Sequence, residues 1–346
     1  MNRNTAIKII AAALPAAFFA ALAGGMGIAL LAQRKTIKSM TAMQQQINDY
    51  NSTTTTTVTY ESILVDRFYE HGGQKILLKD EVYGQIWLPV LEDVPLSTHP
   101  LELLKEENDR MVSYDSYGSI NAMTGIDISV YNEVYDWNAV KADGIDFVMM
   151  RVGYRTYGGG QIKKDTAFQQ NYKAAKEAGL LVGAYFFSQA ISIEEAIDEA
   201  IFTAQQLEGL ELDFPVVYDW EIIYDDDART DAVAVDVLTD CTLAFCQHME
   251  SFGYQPMIYQ NKRTSLLKLD LPRIQDYPFW LAEYGDGPTY IYDYDMWQYT
   301  CTGTVDGIKG AVDINLSFYD YSKEGAPAIA KPATPSTETT TGTTTE

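Results

Sequence analysis

The chain has 346 residues, which is enough for one large domain and a small one. Its formal net charge is −23 and its pI is near 4.4. This acidity argues against binding to DNA or RNA, which depends on neutralisation of phosphates by Lys and Arg, and against docking on anionic lipid through a basic patch. The three histidines are scattered along the chain, so we expect no metal site and no cofactor.

The most apolar segment lies near the start of the chain. Residues 9–32 are 24 consecutive residues without a charged side chain, and as a helix they would span roughly 36 Å, more than the ~30 Å hydrocarbon core of a bilayer. We therefore predict a cytoplasmic stub and a transmembrane anchor within residues 1–38. The sequence Ala21-Leu22-Ala23 resembles a signal-peptidase site, so secretion after signal cleavage is the alternative. Basic residues on both sides leave the orientation open.

Two low-complexity segments and a small module surround the main part of the chain. Residues 39–59 contain a threonine run and are predicted to be a linker. Residues 326–346 are rich in Pro and Thr and are predicted to be a disordered tail. Residues 60–118 hold short alternating apolar runs that glycine and proline interrupt. This pattern predicts a small β-rich accessory module.

Residues 119–325 alternate between strand-like and helical patterns. Ser192 and Glu195 form a capping box before a helix with one apolar face. Repeated strand–helix units imply parallel strands, and eight strand candidates predict a closed α/β barrel of the TIM type, with few helices after the fifth strand. The eight runs are residues 126–130, 147–152, 181–187, 215–220, 256–259, 279–282, 296–299 and 312–316.

Carboxylates lie at the ends of several of these strands. Asp219 and Glu221 are two residues apart at the end of one strand, so they share a face, with β-carbons about 7 Å apart, whereas Trp220 points to the helix layer. Asp127 and Asp313 lie within two further apolar runs. A single buried aspartate is often structural, but burying four unpaired charges is costly. The four acids are therefore predicted to form a site.

Hydrolysis of sugars suits such a cluster. The reaction needs one protonated carboxyl to donate to the leaving oxygen and one carboxylate to stabilise positive charge or act as base or nucleophile. Crowding raises the pKa of at least one member of the cluster. Aromatic rings stack on sugar faces, although many of those nearby must also be core. The candidate substrate-binding rings are Tyr154, Tyr185, Tyr259, Trp280 and Tyr284.

A set of short motifs over residues 125–320 supports the same chemistry. They are Gly125-Ile126-Asp127-Ile128-Ser129, Asp136-Trp137, Met150-Arg151-Val152-Gly153-Tyr154, Ala178-Gly179-Leu180, Gly183-Ala184-Tyr185-Phe186-Phe187, Asp219-Trp220-Glu221, Trp280-Leu281-Ala282-Glu283-Tyr284, Trp297-Gln298-Tyr299 and Val312-Asp313-Ile314-Asn315. In this order and spacing, the motifs resemble those of glycoside hydrolase family 25, the lysozymes of the Chalaropsis type.

This resemblance implies a barrel of five β/α units followed by three strands, and a lysozyme that cleaves the β-1,4 bond between N-acetylmuramic acid and N-acetylglucosamine. By the same likeness, Glu221 is the proton donor. Asp219 is its electrostatic partner, acting on the substrate directly or through the substrate's acetamido group. Asp127 and Asp313 complete the acidic floor, and Gln298 joins the predicted substrate-binding residues. The resemblance does not cover residues 1–118 or the tail.

The expected partners are peptidoglycan glycan strands and, through the N-terminal helix, the cell membrane. Because this polysaccharide is found outside the cell, we expect a single-pass protein with an extracellular barrel. A non-catalytic peptidoglycan-binding barrel, in which the acids only hold the groove, is the alternative function. A structural membrane protein with an incidental barrel is a third hypothesis, which glycan binding would exclude.

Overall fold

The computed structural model describes residues 75–80, 84–223 and 228–323. The chain divides into two compact units, residues 1–90 and 91–346.

Three of the sequence predictions concern residues outside the described part. They are the transmembrane anchor within residues 9–32, the linker at residues 39–59 and the tail at residues 326–346. Among the helices that the structure does describe, none has the length and apolar character needed to cross a membrane.

The described part of the first unit is an antiparallel hairpin. Its strands are β1 (Lys75–Asp80) and β2 (Gly84–Pro89), paired so that Leu77 lies opposite Trp87. Both of these side chains are buried. The short apolar runs that predicted strands here therefore form strands.

The second unit contains the remaining described elements. In chain order they are a short 3₁₀ helix (Leu101–Leu103), β3 (Leu104–Glu107), β4 (Arg110–Ser113), β5 (Met123–Ile128), β6 (Glu133–Val134), α1 (Trp137–Ala142), β7 (Phe147–Arg155), β8 (Ile162–Lys164), α2 (Phe168–Glu177), β9 (Leu181–Ser188), α3 (Ile193–Leu207), β10 (Val216–Trp220), α4 (Val235–Ser251), β11 (Pro256–Asn261), α5 (Lys262–Lys268), α6 (Leu271–Ile274), β12 (Phe279–Ala282), β13 (Met296–Gly303), β14 (Ile308–Lys309) and β15 (Val312–Ser317).

Eight of these strands form a closed barrel in the order β5-β15-β13-β12-β11-β10-β9-β7, with β7 pairing back to β5. All eight predicted strands are confirmed. Neighbouring strands are parallel except β15, which is antiparallel to both β13 and β5. The reason is the length of the connection: residues 304–311 join β13 to β15, whereas a parallel crossover needs a dozen residues or more.

Helices follow the first five barrel strands. They are α1 after β5, α2 after β7, α3 after β9, α4 after β10, and the pair α5 and α6 after β11. Residues 279–317 are all described and contain no helix. The arrangement of five β/α units followed by three strands is therefore present. Ser192 caps α3 as predicted, because its Oγ accepts a hydrogen bond from the Glu195 backbone N–H.

Apolar side chains fill the lower part of the barrel interior. They include Phe147 and Met149 from β7, Val217 from β10, and Met257 from β11. A Cβ on Gly125 would collide with the ring of Phe147, so this position on β5 has room only for glycine. Because the lower interior is closed by packing, polar side chains that face inward gather at the carboxyl ends of the strands, where barrel enzymes hold their sites.

Residues 91–118, which are part of the predicted accessory module at residues 60–118, group with the second unit in the structure. Arg110 forms an ion pair of 2.6 Å with Asp143, and the Met111 backbone N–H donates to the Tyr299 hydroxyl at 3.3 Å. Short alternating apolar runs look the same in sequence whether they make a separate core or pack on a barrel. The boundary at residue 118 therefore stays a prediction.

We expect a fragment of residues 119–325 to melt at a temperature about 5–10 °C lower than a fragment of residues 91–325. It loses the burial of Met111, worth about 1.5–3 kcal/mol, and each kcal/mol corresponds to roughly 2–4 °C in a domain of this size. Calorimetry on both fragments measures the difference. Arg110→Ala in the longer fragment should reproduce only a part of it, and equal melting temperatures would support the predicted boundary between residues 118 and 119.

Candidate active site

Asp219 and Glu221 lie at the carboxyl end of β10. Val217 packs in the barrel interior, so Asp219, two residues later, also faces inward, and it is 5% exposed. Glu221 follows the last residue of the strand and is partly exposed. Trp220 is fully buried on the other face, where its Nε1 donates to the backbone oxygen of Ala190 at 3.0 Å. The predicted alternation at this strand end is present.

Asp127 and Asp313 lie directly opposite each other on the antiparallel strands β5 and β15. Side chains in such a pair have β-carbons roughly 4.5–5.5 Å apart. The charges of Asp313 and Glu221 both act on Asp127, and the charge of Asp127 acts on Asp219. The structure therefore brings all four predicted acids together.

Two amides hold Asp127 in place. Its Oδ2 accepts hydrogen bonds from Gln298 Nε2 at 2.8 Å and from Asn315 Nδ2 at 2.9 Å. The Oδ1 of Asn315 in turn accepts from Trp280 Nε1 at 2.9 Å. Trp280 and Gln298 are 2% and 3% exposed, so in the structure they build the floor beneath Asp127. Whether they also contact a substrate remains a prediction.

The hydroxyl groups of two tyrosines complete this hydrogen-bond network. The Oε1 of Gln298 accepts hydrogen bonds from the hydroxyls of Tyr259, at 2.9 Å, and Tyr284, at 3.1 Å. Tyr259 is buried, whereas Tyr284 is 56% exposed at the mouth of the barrel. Tyr284 therefore combines a fixed hydroxyl with a ring face that a ligand can reach.

The remaining two predicted rings lie on the side of the site formed by β7 and β9. Tyr185 pairs in register with Arg151 on β7 and with Val217 on β10. Burial raises the pKa of Tyr185 well above its usual value, and the nearby negative charge of Asp127 adds to this effect. Tyr154 packs against Arg151, whose guanidinium carbon lies 5.0 Å from the centre of the ring.

Burial and crowding favour protonated carboxyls in this cluster. The pKa of Asp127 is raised to about 8, first by burial and then by the charge of Asp313, against the lowering effect of the two amide hydrogen bonds. Burial raises the pKa of Asp219 well above its usual value, and the charge of Glu221 adds to it. Burial is also the main cause of the raised pKa values of Glu221 and Asp313.

The carboxyls of Asp219 and Glu221 are close enough to shift each other's pKa: the interaction with Glu221 raises the pKa of Asp219, and the interaction with Asp219 lowers that of Glu221. Two adjacent carboxyls resist ionising together, so we expect the pair to share one proton. One protonated carboxyl beside one carboxylate is the combination that general acid catalysis with charge stabilisation requires. Among the described residues, no group of three or more His, Cys, Asp and Glu side chains is arranged to hold a metal ion.

Sequence reasoning assigned no role to Asn315, Arg151 or Tyr131. Asn315 and Arg151 both lie in motifs of the sequence that carry the family resemblance. For Arg151, a charged residue within the apolar run of β7 could have indicated a functional role. Tyr131 gave no signal, because it lies in a loop. Its exposed ring is 5.2 Å from the guanidinium carbon of Arg151.

Comparison with known proteins places this barrel in a known group. The family described as Glycosyl hydrolases family 25 matches residues 126–308. The autolytic lysozyme of Clostridium acetobutylicum is 29% identical over 195 residues, which cover 56% of this chain and 55% of that protein. Lysozyme M1 of Streptomyces globisporus is 23% identical over 218 residues, which cover 56% of this chain and 67% of that protein.

A solved structure extends the likeness to the fold. The modular autolysin LytC of Streptococcus pneumoniae, determined in complex with a synthetic peptidoglycan ligand, superposes with a TM-score of 0.51 at 20% identity. The match covers 70% of this chain and 56% of that one. This chain thus spans about half the length of LytC and of the clostridial lysozyme.

Proposed function

The chain belongs to the glycosyl hydrolases family 25, and on that premise we propose that it is a lysozyme of the 1,4-β-N-acetylmuramidase type. Its substrate is peptidoglycan, and the bond it cleaves joins N-acetylmuramic acid to N-acetylglucosamine. Its biological role is remodelling of the cell wall. The observation that carries this proposal is the Asp219/Glu221 pair at the carboxyl end of β10, which lies beside Asp127 and Asp313 in a cluster of four carboxyls.

In the proposed reaction, Glu221 donates its proton to the glycosidic oxygen while the bond to the anomeric carbon breaks. Positive charge then develops on the sugar ring, and water completes the hydrolysis by adding to the anomeric carbon and returning a proton to the Glu221 carboxylate. Asp219, as a carboxylate, stabilises that charge directly or through the substrate's acetamido group. Asp127, which is fixed by Gln298 and Asn315, and Asp313 keep the floor of the groove acidic. Tyr284 and Tyr154 offer ring faces to the sugar at the mouth.

The test is mass analysis of the fragments that the protein releases from purified peptidoglycan. New reducing ends on N-acetylmuramic acid support the proposal. Reducing ends on N-acetylglucosamine would assign a glucosaminidase instead. Binding to peptidoglycan without any new reducing end would favour the non-catalytic barrel.

We also propose that residues 9–32 anchor the protein in the cell membrane with the barrel outside. The support is the 24-residue run without charge, which is long enough to span a bilayer, together with a substrate that lies outside the cell. Cleavage after Ala23, which would release a secreted enzyme, is the competing outcome.

We expect the full-length protein to fractionate with membranes, and protease added to intact cells should remove the barrel. A carbonate wash should not release it, because an apolar spanning helix leaves the bilayer only when detergent is added. A variant with two lysines in the middle of the run, Phe18→Lys and Ala21→Lys, should lose membrane retention. Recovery of a soluble wild-type form that begins near Gly24 would refute the anchor without affecting the proposed enzyme.

A further inference from the structure

Arg151 is a buried cation in the wall of the acidic site. Phe147 and Met149 on the same strand pack in the barrel interior, so Arg151, two residues later, faces inward as well. It is 9% exposed, and in register it lies opposite Tyr185 of β9, the strand that separates β7 from the acidic strand β10. A positive charge at this depth is costly unless it interacts with negative groups.

The surroundings of Arg151 fix its position. Its Nε donates to Asp165 Oδ2 at 2.9 Å, and its guanidinium group packs against the rings of Tyr131 and Tyr154, at 5.2 Å and 5.0 Å. Asp165 also accepts the backbone N–H of Val130 at 2.9 Å. This arrangement leaves little freedom for the guanidinium to move.

One end of Arg151 is left without a hydrogen bond. Its Nη2 is buried and has no hydrogen-bond partner among the described residues, and the same holds for Oδ1 of Asp219. Both side chains face the barrel interior, and they carry groups of opposite charge. The positive charge of Arg151 lowers the pKa of Asp219, against the raising effects of burial, Glu221 and Asp127.

The depth of the two carboxyls creates a problem for the proposed reaction. Asp219 is buried, whereas Glu221 is partly exposed, and burial favours the neutral form of the deeper group. Burial alone would therefore leave the shared proton on Asp219, although the reaction needs it on Glu221. Among the described residues, the other titratable groups that face the pair include only acids and phenols: Asp127 from β5, Asp313 from β15, Tyr185 from β9, Tyr259 from β11 and Tyr284 after β12.

We propose that Arg151 is a positioning residue that directs the shared proton to Glu221, because its fixed positive charge stabilises Asp219 as the carboxylate. This inference rests on the proposed function and deepens it. The ion pair of 2.9 Å with Asp165 balances part of the charge of Arg151, and its unpartnered Nη2 leaves the rest of the guanidinium free to act on the pair. The two tyrosines beside Arg151 hold the guanidinium in place.

The pH dependence of hydrolysis tests this role. In Arg151→Gln, the acid limb of the kcat profile should move up by about one to three pH units, the effect of removing a nearby opposite charge, and the maximal kcat should fall by about tenfold or more. Arg151→Lys keeps the charge, so its acid limb should stay close to that of the wild type. The matched control is Arg155→Gln, because Arg155 is also buried on the same strand but pairs with Glu199 on the helix side.

Arg155→Gln is expected to lower the melting temperature without moving either limb. If Arg151→Gln behaves in the same way, or if it raises KM with unchanged pH limits, Arg151 is structural or binds substrate, and the inference is overturned. A wild-type protein that releases no reducing ends overturns the proposed function instead.

A titration without substrate decides the inference in either case. In protein with ¹³C-labelled carboxyls, the signals of Asp219 and Glu221 are identified by their loss in Asp219→Asn and Glu221→Gln. The wild type near pH 6 should show a protonated Glu221 and an ionised Asp219, and Arg151→Gln should show the proton moved to Asp219. A wild-type spectrum with the proton on Asp219 overturns the inference even if the Arg151 variants do not fold.

Discussion

Glu221→Gln is expected to reduce turnover of peptidoglycan by about 10²–10⁴-fold, the usual contribution of a general acid. Glutamine keeps the size of the side chain and most of its hydrogen bonding but has no proton to give to the leaving oxygen. The fold should be unaffected, since the Gln189 Nε2 bond of 2.7 Å goes to the backbone oxygen of Glu221 and not to its side chain. The rate of reducing-end release measures the loss, and sedimentation with insoluble peptidoglycan shows that binding survives.

Glu199→Gln provides a matched control for this experiment. Glu199 is also a buried glutamate, and its pKa is raised to about 7 by burial. Its carboxylate accepts hydrogen bonds from Arg155 Nε and Ser188 Oγ, both at 2.6 Å, outside the acid cluster. Its replacement should lower stability and leave turnover close to that of the wild type. If Glu221→Gln hydrolyses peptidoglycan at the wild-type rate, the acid must be sought at Asp127 or Asp313.

The eight barrel strands and the four acids could be predicted because both depend on local patterns. A strand that is buried on both faces is a short apolar run, and an acid two residues from another on a strand shares its face. The pair at Asp219 and Glu221 is therefore visible in three consecutive letters of the sequence. Closure of the barrel then brings Asp127 and Asp313 to the same place without any further signal.

The hydrogen bonds beneath the acids could not be predicted, because they join distant parts of the chain. Asn315 and Asp127 are 188 residues apart in sequence, and only closure of β5 on β15 makes them neighbours. For the same reason, Gln298 could be predicted as a substrate contact although its polar atoms are already bonded to Tyr259, Tyr284 and Asp127. A sequence motif identifies a functional residue but does not show with which neighbouring residues it forms hydrogen bonds.

The two arginines of β7 show a second limit. Arg151 and Arg155 are four residues apart, so a regular strand would place them on the same face. The register between β7 and β9 shifts between Arg151 and Gly153, and such a bulge reverses the alternation. Arg151 therefore faces the acids, whereas Arg155 forms its ion pair with Glu199 on α3. This bulge, which has no clear sequence signal, therefore places Arg151 in the acidic site and Arg155 in the helix layer.

Asp219→Asn is expected to move the alkaline limb of the pH–rate profile to lower pH and to slow turnover by about 10²–10³-fold, as expected for loss of one preorganised electrostatic group. In the wild type, removal of the last shared proton leaves two adjacent negative charges, so that proton is held to a raised pH. Asparagine is neutral, and its amide can donate to the Glu221 carboxylate. Glu221 should therefore lose its proton at a lower pH, by about one to three units.

Stability gives an independent check on the sign of this effect. An acid whose pKa is raised by folding destabilises the folded state once the pH exceeds its unfolded pKa, and the pKa of Asp219 is raised, chiefly by burial. Asp219→Asn should therefore melt at the same temperature as the wild type or a higher one at pH 7. Asp313→Asn is the matched variant: the charge of Asp313 raises the pKa of Glu221, but Asp313 lies on β15 and is not the partner with which Glu221 is expected to share a proton, so the alkaline limb should move less. An alkaline limb that stays in place or rises in Asp219→Asn would mean that the two carboxyls do not share a proton, and the raised pKa of Glu221 would then come from burial and the charge of Asp313.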